Sequence, residues 1–159
     1  MKIGIGYDSH RYAAGRPLRL GGATIPHTHG LAGHSDADAV LHAITDALLG
    51  AAALGDIGTF FPNDDPQWKN ADSARFVKGA VDALKANRLV VGQVDVTVIA
   101  ERPKLGPYVQ QMRAATARAL GVTMEQVSIK AKTNEGMGWV GRHEGIACIA
   151  VATVMEASG

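Results

Sequence analysis

The chain has 159 residues, enough for a domain with a buried core, and because no linker or repeat divides it, we expect residues 1–159 to form a single domain. Its net charge of +1 and the lack of any basic run give no reason to expect nucleic acid as a partner. No apolar run reaches the roughly 18 residues of a membrane span, and the N-terminal residues lack the pattern of a signal peptide, so no membrane association and a cytoplasmic location are expected.

The first predicted strand, residues 2–8, leads into a candidate metal site. Side chains two residues apart on a strand share a face and lie about 6.5 Å apart, so Asp8 and His10 can approach one ion. His42, in the middle of a predicted helix, is a third candidate ligand. One carboxylate and two imidazoles suit a tetrahedral zinc ion with an open position, although Asp-x-His alone is a common pattern.

The helix that carries His42 is predicted over residues 35–53, after a strand or hairpin at residues 18–25. Ser35 is the expected N-cap, and the helix start could bind an anion there, with His34 beside it as a donor. Asp38 and Asp46 stand four residues to either side of His42. They could orient its ring, or they could simply lie on a solvated helix face.

Residues 55–71 are rich in Gly, Pro, Asp and Asn and are predicted to form a long loop. Asp56 could bind a hydroxyl group or only organise the turn. The pair Phe60-Phe61 could belong to a flap that closes over a ligand or to a packed loop. Both alternatives stay open at this point.

The remaining elements alternate between helices and strands, with helices at 72–87 and 107–120 and strands at 90–100, 127–133 and 146–155. The last strand is apolar on both faces, which indicates that both are buried. We therefore predict an α+β fold with a single-layer mixed sheet of about four strands, helices on one face, and the other face buried in a homo-oligomer. Cys148, within this strand, is interpreted as a buried small apolar residue.

Two strand ends carry groups suited to phosphate chemistry. Lys104 follows one strand and could reach a phosphate, and Glu135 follows another and could hold Mg²⁺ together with substrate oxygens. The sequence offers no poised cysteine and no Gly-x-Ser-x-Gly elbow. This combination favours metal-assisted phosphoryl transfer in which the substrate supplies the nucleophile.

Taken together, these segments resemble the family of 2-C-methyl-D-erythritol 2,4-cyclodiphosphate synthases of non-mevalonate isoprenoid biosynthesis. The resemblance runs essentially from end to end of the chain. It rests on Gly6-Tyr7-Asp8-Ser9-His10, Gly33-His34-Ser35-Asp36-Ala37-Asp38, Leu41-His42-Ala43, Thr45-Asp46-Ala47-Leu48-Leu49-Gly50, Ala53-Leu54-Gly55-Asp56-Ile57-Gly58, Phe61-Pro62, Ala71-Asp72-Ser73, Arg102-Pro103-Lys104-Leu105, Lys130-Ala131-Lys132-Thr133 and Gly141-Arg142.

The resemblance implies a homotrimeric lyase with active sites between neighbouring subunits. It implies that Zn²⁺ or another divalent cation binds Asp8, His10 and His42, that Mg²⁺ or Mn²⁺ binds at Glu135 with the substrate diphosphate, and that His34 and Thr133 are catalytic. The implied substrate-binding residues are Ser35, Asp56, Ile57, Gly58, Phe61, Asn63 and Asp65 for the methylerythritol part, Ala100, Pro103, Lys104, Leu105 and Lys132 for cytidine, and in addition Trp139 and Arg142.

The reaction implied is conversion of 4-diphosphocytidyl-2-C-methyl-D-erythritol 2-phosphate to the 2,4-cyclodiphosphate with release of CMP. Asn63 departs from the family pattern, in which an Asp is expected, and loses a charge in the diol-binding loop. Two alternatives stay open: a non-catalytic trimer that binds metal and cytidine nucleotides, and a metal-dependent phosphohydrolase.

Overall fold

The computed structural model describes residues 1–157, and its central feature is one mixed sheet of five strands. The sheet is made of β1 (Lys2–Ala14), β4 (His29–Leu31), β5 (Leu89–Ile99), β6 (Val127–Lys132) and β7 (Gly145–Glu156), in the order β4-β1-β7-β5-β6. All neighbours are antiparallel except β5 and β6, which are parallel. The α+β class is confirmed, and the strand beyond the predicted four is β4, which is too short to produce a periodic pattern.

The predicted hairpin forms β2 (Leu18–Leu20) and β3 (Ala23–Ile25). The helices are α1 (Ala39–Ala51), α2 (Ile57–Phe60), α3 (Ala74–Ala86), α4 (Val109–Leu120) and α5 (Gly138–Gly141). α1 packs on β1 and β7, α3 on β5, and α4 on β6. The segment predicted as a loop over residues 55–71 contains the short helix α2. No helix among the described residues has the length and apolarity needed to cross a membrane.

The start of α1 differs from the prediction. Ala37 has a φ of 57°, in the left-handed region, so the helix cannot run through it from Ser35. The N-cap is Asp38, whose carboxylate accepts the Leu41 N–H at 3.0 Å and also the N–H groups of Gly21 and Gly22. Contacts from the distant hairpin thus select the cap.

Two glycines explain why α1 lies so close to β1. A Cβ on Gly4 would come within 2.1 Å of the Ala47 carbonyl oxygen, and one on Gly6 within 1.9 Å of the Ala43 carbonyl oxygen. No real Cβ atom tolerates such distances, so only glycine permits this approach. Because β1 continues far beyond the predicted residue 8, Asp8 and His10 lie within the strand, on the same helix-facing side.

The opposite face of the sheet is open to solvent within one chain. Ile3, Ile5 and Tyr7 of β1 are 64%, 70% and 56% exposed, and Ile149 and Val151 of β7 are also exposed. This is the face that the sequence analysis expects a second copy of the chain to cover, and its burial in an oligomer stays a prediction. The helix-facing side of β7 is buried, Cys148 included, as predicted.

Candidate active site

Asp8, His10 and His42 form a compact triad where α1 crosses β1. Asp8 Oδ2 lies 2.8 Å from His10 Nε2 and 3.2 Å from His42 Nδ1, and the two ring nitrogens are 3.2 Å apart. Donor atoms about 2.0–2.1 Å from a tetrahedral zinc ion lie roughly 3.3 Å from one another. The three atoms are therefore already spaced as such an ion requires, and the triad predicted from the sequence is confirmed as a candidate metal site.

Hydrogen bonds behind the triad select the ring nitrogens that face it. His10 Nδ1 lies 2.7 Å from the carbonyl oxygen of Ala32, which can only accept, so Nδ1 carries a proton and Nε2 is the nitrogen that faces the triad. His42 Nε2 lies 2.8 Å from Ser73 Oγ and 3.2 Å from Ser35 Oγ, which leaves Nδ1 for the ion. Both imidazoles are thus prepared as metal ligands.

The residue that hydrogen-bonds His42 Nε2, on the side of the ring away from the triad, is Ser73 rather than Asp38 or Asp46. The Ser73 hydroxyl donates to Asp36, and the Ser73 N–H donates to the other oxygen of the same carboxylate at 3.1 Å. Asp38 caps α1 and is buried, and Asp46 accepts the Ile57 N–H at 2.7 Å. Neither orients the ring, which was one of the two roles left open for them, and Asp38 does not lie on a solvated face, which was the other. Ser73 enters from the start of α3, and its place beside Asp72 in a family motif is the only sequence signal that could have indicated it.

The electrostatics of the triad favour an ion pair when no cation is bound. Burial is the largest single influence and opposes charge on both Asp8 and His10, but their mutual hydrogen bond, further hydrogen bonds from His42 to Asp8 and from His10 to Ala32, and the attraction of opposite charges together outweigh it. The pKa of Asp8 is therefore lowered, and the pKa of His10 is raised. A metal ion must displace the His10 proton, so metal binding weakens as the pH falls.

The triad opens into a cavity of about 220 Å³. The cavity collects Asp8, His10, His34, Ser35, His42, Ile57, Gly58, Phe61 and Asn63 from the predicted set, together with Gly33, Trp68 and Phe76. Phe61, Trp68 and Phe76 pack with ring centroids 4.9–5.5 Å apart, so Phe61 belongs to a packed loop while Phe60 is partly exposed. The Trp68 and Phe76 walls were not predicted, because nothing in their local sequence links them to Asp8.

A second cavity, of about 650 Å³, collects the predicted cytidine-binding residues. Ala100, Pro103, Lys104, Leu105, Lys132 and Thr133 line it, with Glu101, Arg102 and His143 among their neighbours. It shares no lining residue with the metal cavity. A single chain therefore carries the two halves of the predicted site as separate pockets.

Five predicted residues line neither of these cavities. They are Asp56, Asp65, Glu135, Trp139 and Arg142. Asp56 caps α2 by accepting the Thr59 N–H, Asp65 accepts the Gln67 N–H, and Glu135 accepts a hydrogen bond from the Thr133 hydroxyl at 3.0 Å. Trp139 lines a small pocket with His10, and Arg142 forms an ion pair with Glu144 at 2.6 Å. His34 Nε2 lies 3.4 Å from the Asp65 carbonyl oxygen, which ties that loop to the metal cavity.

Comparison with known proteins decides the family, since residues 1–155 match the sequence profile of the YgbB family. The chain belongs to the YgbB family. A 2-C-methyl-D-erythritol 2,4-cyclodiphosphate synthase of Salinibacter ruber is 54% identical to this YgbB-family chain, over 99% of the chain and 100% of the relative.

Solved structures agree with this YgbB-family fold. The bifunctional IspDF of Campylobacter jejuni superimposes with a TM-score of 0.94 at 38% identity, over 98% of this chain and 42% of that protein. A CDP-bound form of 2C-methyl-D-erythritol-2,4-cyclodiphosphate synthase superimposes with a TM-score of 0.89 at 37% identity, over 97% of this chain and 100% of that one.

Proposed function

We infer that the chain is an enzyme that converts 4-diphosphocytidyl-2-C-methyl-D-erythritol 2-phosphate to 2-C-methyl-D-erythritol 2,4-cyclodiphosphate and CMP. The activity is that of a phosphorus-oxygen lyase of non-mevalonate isoprenoid biosynthesis. The observation that carries the inference is the end-to-end match to a relative of that name, at 54% identity over 99% of the chain. The prepared Asp8–His10–His42 triad supports it independently.

The metal-binding residues of the site would hold cations against the phosphate groups of the substrate. Asp8, His10 and His42 would hold Zn²⁺ or another divalent cation, and Glu135 would hold Mg²⁺ or Mn²⁺ against the substrate diphosphate. Divalent cations bound there neutralise and orient phosphate oxygens. Glu135 is suited to this role because it is exposed and fixed by the Thr133 hydroxyl.

The protein side chains position the substrate for an internal displacement. An oxygen of the 2-phosphate attacks the β-phosphorus, the bond from that phosphorus to the bridging oxygen breaks, and CMP leaves with the bridging oxygen. The attacking phosphate is already anionic, so no general base is needed. His34 and Thr133 would donate hydrogen bonds to the reacting phosphates, where charge develops in the transition state.

The two halves of the site would be joined by assembly into a homotrimer. The metal cavity, with Ser35, Ile57, Gly58, Phe61 and Asn63, would bind the methylerythritol part together with Asp56 and Asp65. The second cavity, on a neighbouring subunit, would bind cytidine, and Trp139 and Arg142 would complete the contacts. The exposed Ile3, Ile5 and Tyr7 support this assembly, because an apolar sheet face of this kind is typical of an interface.

Phosphorus NMR of the purified protein with the diphosphocytidyl substrate, Zn²⁺ and Mg²⁺ tests the activity. A cyclic diphosphate and CMP are expected. Orthophosphate as product would instead identify a phosphohydrolase, and unchanged substrate on a folded, zinc-loaded protein would identify a nucleotide-binding protein.

Variants in the metal cavity separate its roles. His42→Ala should lose both zinc and activity, measured by elemental analysis and NMR, while light scattering still shows the same oligomer. Retained zinc would overturn the ligand assignment. Asn63→Asp restores the charge of the family pattern and tests whether that loop sets substrate affinity.

A further inference from the structure

Three histidines line a cavity that shares Arg102 and His143 with the cavity proposed to bind cytidine. His27, His29 and His143 surround a space of about 310 Å³ together with Tyr12 and Arg102. His29 begins β4, His27 precedes it by two residues, and His143 follows α5. None of these lining residues is a carboxylate, so the groups offered to a ligand are mainly imidazoles.

The spacing of His27 and His29 is close to that of two imidazoles that share an ion. Their ring centroids are 6.4 Å apart, against 5.2 Å for His10 and His42 in the candidate metal triad. Two rings bound to one tetrahedral ion have centroids roughly 5 Å apart, given metal–nitrogen distances of about 2.0–2.1 Å. Both side chains are exposed, so rotation about their side-chain bonds can supply the remaining ångström.

The ring of His29 keeps one nitrogen for a ligand. The Nδ1 of His29 lies 2.9 Å from the Thr28 hydroxyl, which leaves its Nε2 for a ligand. A neutral imidazole nitrogen of this kind is the form that binds a metal ion.

His143 brings a third imidazole to the cavity from another part of the chain. Its backbone has a φ of 59° and is fixed by a hydrogen bond from its N–H to the Val140 carbonyl oxygen. Glycine adopts this conformation without strain, whereas histidine does so at a cost. Arg102 lines the same cavity and its charge opposes a cation, but its exposed side chain can remain in water.

We propose that His27, His29 and His143 form a second metal site, separate from Asp8, His10 and His42, that takes an imidazole-preferring divalent ion of the Ni²⁺, Cu²⁺ and Zn²⁺ class. Imidazole ligands select these ions over Mg²⁺ and Ca²⁺, which prefer oxygen. Three imidazoles leave further coordination positions for water. The site shares Arg102 and His143 with the proposed cytidine cavity, but its metal binding can be measured whether or not the chain is catalytically active.

Titration of the metal-stripped protein with Ni²⁺, followed by elemental analysis after desalting, tests the proposal. The unsubstituted chain should bind about two Ni²⁺ ions, and His27→Gln/His29→Gln about one, because each set of imidazoles takes one ion. In the converse variant, His42→Ala, the ion at the histidine cavity should be retained. Combining all three substitutions should abolish tight Ni²⁺ binding.

His143→Gly tests the third ligand without disturbing the fold, because glycine suits the left-handed backbone. It should weaken the second Ni²⁺ site by at least about tenfold, the loss seen when a metal ligand loses even its hydrogen-bonding partner. Circular dichroism checks that each variant is folded. The proposal is overturned if folded His27→Gln/His29→Gln binds as much Ni²⁺ as the unsubstituted chain, or if Mg²⁺ competes equally for the site.

Discussion

Replacing Ser73 by alanine should weaken zinc binding without unfolding the protein. Ser73 Oγ lies 2.8 Å from His42 Nε2, on the side of the ring opposite Asp8 and His10, and its own proton goes to Asp36. The serine is fully buried. Although it precedes α3, its side chain makes no capping hydrogen bond, so the helix loses no cap in the variant.

The size of the effect follows from what remains around the ring. Loss of a hydrogen-bonding partner behind a metal ligand typically weakens metal binding 10- to 100-fold. Ser35 Oγ, 3.2 Å from the same nitrogen, can still accept a hydrogen bond from it, although a longer one. We therefore expect the lower end of that range, about tenfold, or about 1.4 kcal/mol.

Competition with a chromophoric zinc chelator measures this change, and thermal unfolding of the metal-free proteins checks that stability is retained. Asp36→Asn should produce a smaller loss, because it acts on His42 only through the Ser73 hydroxyl. Ser128→Ala is the control, since Ser128 lies on β6, opposite Asp95 of β5, and does not line the metal cavity. If Ser73→Ala and Ser128→Ala bind zinc equally well, the hydroxyl does not hold the ring and the reasoning fails.

Two further predictions concern stability. Gly6→Ala should destabilise the fold by about 3 kcal/mol or more, because overpacking against a fixed backbone is costly and the new Cβ would meet the Ala43 carbonyl oxygen at 1.9 Å. Gly106→Ala, whose Cβ would meet nothing within 4 Å, is the control in urea denaturation, and equal midpoints would contradict the packing argument. Burial and the charge of Glu101 raise the pKa of Tyr12 to about 12, from an ordinary value of 10.0. The unfolded chain then ionises first, so this contribution to stability is present below pH 10 and is lost as the pH rises to 12. Tyr12→Phe should lose less stability than the unsubstituted chain across that window, and identical losses in denaturant titrations would refute the assignment.

The metal triad was predictable because its signal is local and regular. The alternation of a strand places Asp8 and His10 on one face, and an apolar helix, recognisable from its length and composition, carries His42. The start of that helix was not predictable in the same way. Ser35 has good capping chemistry, but Asp38 gains two additional N–H donors from Gly21 and Gly22, which only the folded hairpin supplies.

The parts of the site that were missed all depend on contacts between distant segments. Trp68 and Phe76 line the metal cavity from the segment before α3 and from α3 itself, and nothing in their own neighbourhood marks them. Ser73 contacts His42 from the start of α3, and only its place in a family motif marks it. The short strand β4 likewise exists because β1 offers it an edge. Hydrophobic periodicity and capping patterns predict one helix or strand at a time. The contacts of Ser73, Trp68 and Phe76 and the pairing of β4 depend instead on how two distant elements pack together.

The glycines of β1 connect the packing of the fold to the metal site. Along the helix-facing side of the strand, Gly4 meets Ala47 and Ala51, Gly6 meets Ala43, and the next position, Asp8, meets His42. The arrangement that brings the two backbones into contact at the glycines therefore also brings the Asp8 carboxylate next to the His42 imidazole, two residues further along β1. The distance between α1 and β1 is set by backbone atoms of Ala43 and Ala47, which cannot move without moving the helix. A side chain at Gly6 that pushes α1 away from β1 therefore also moves His42 away from Asp8. A folded Gly6→Ala protein should accordingly bind zinc more weakly even though no ligand has been changed.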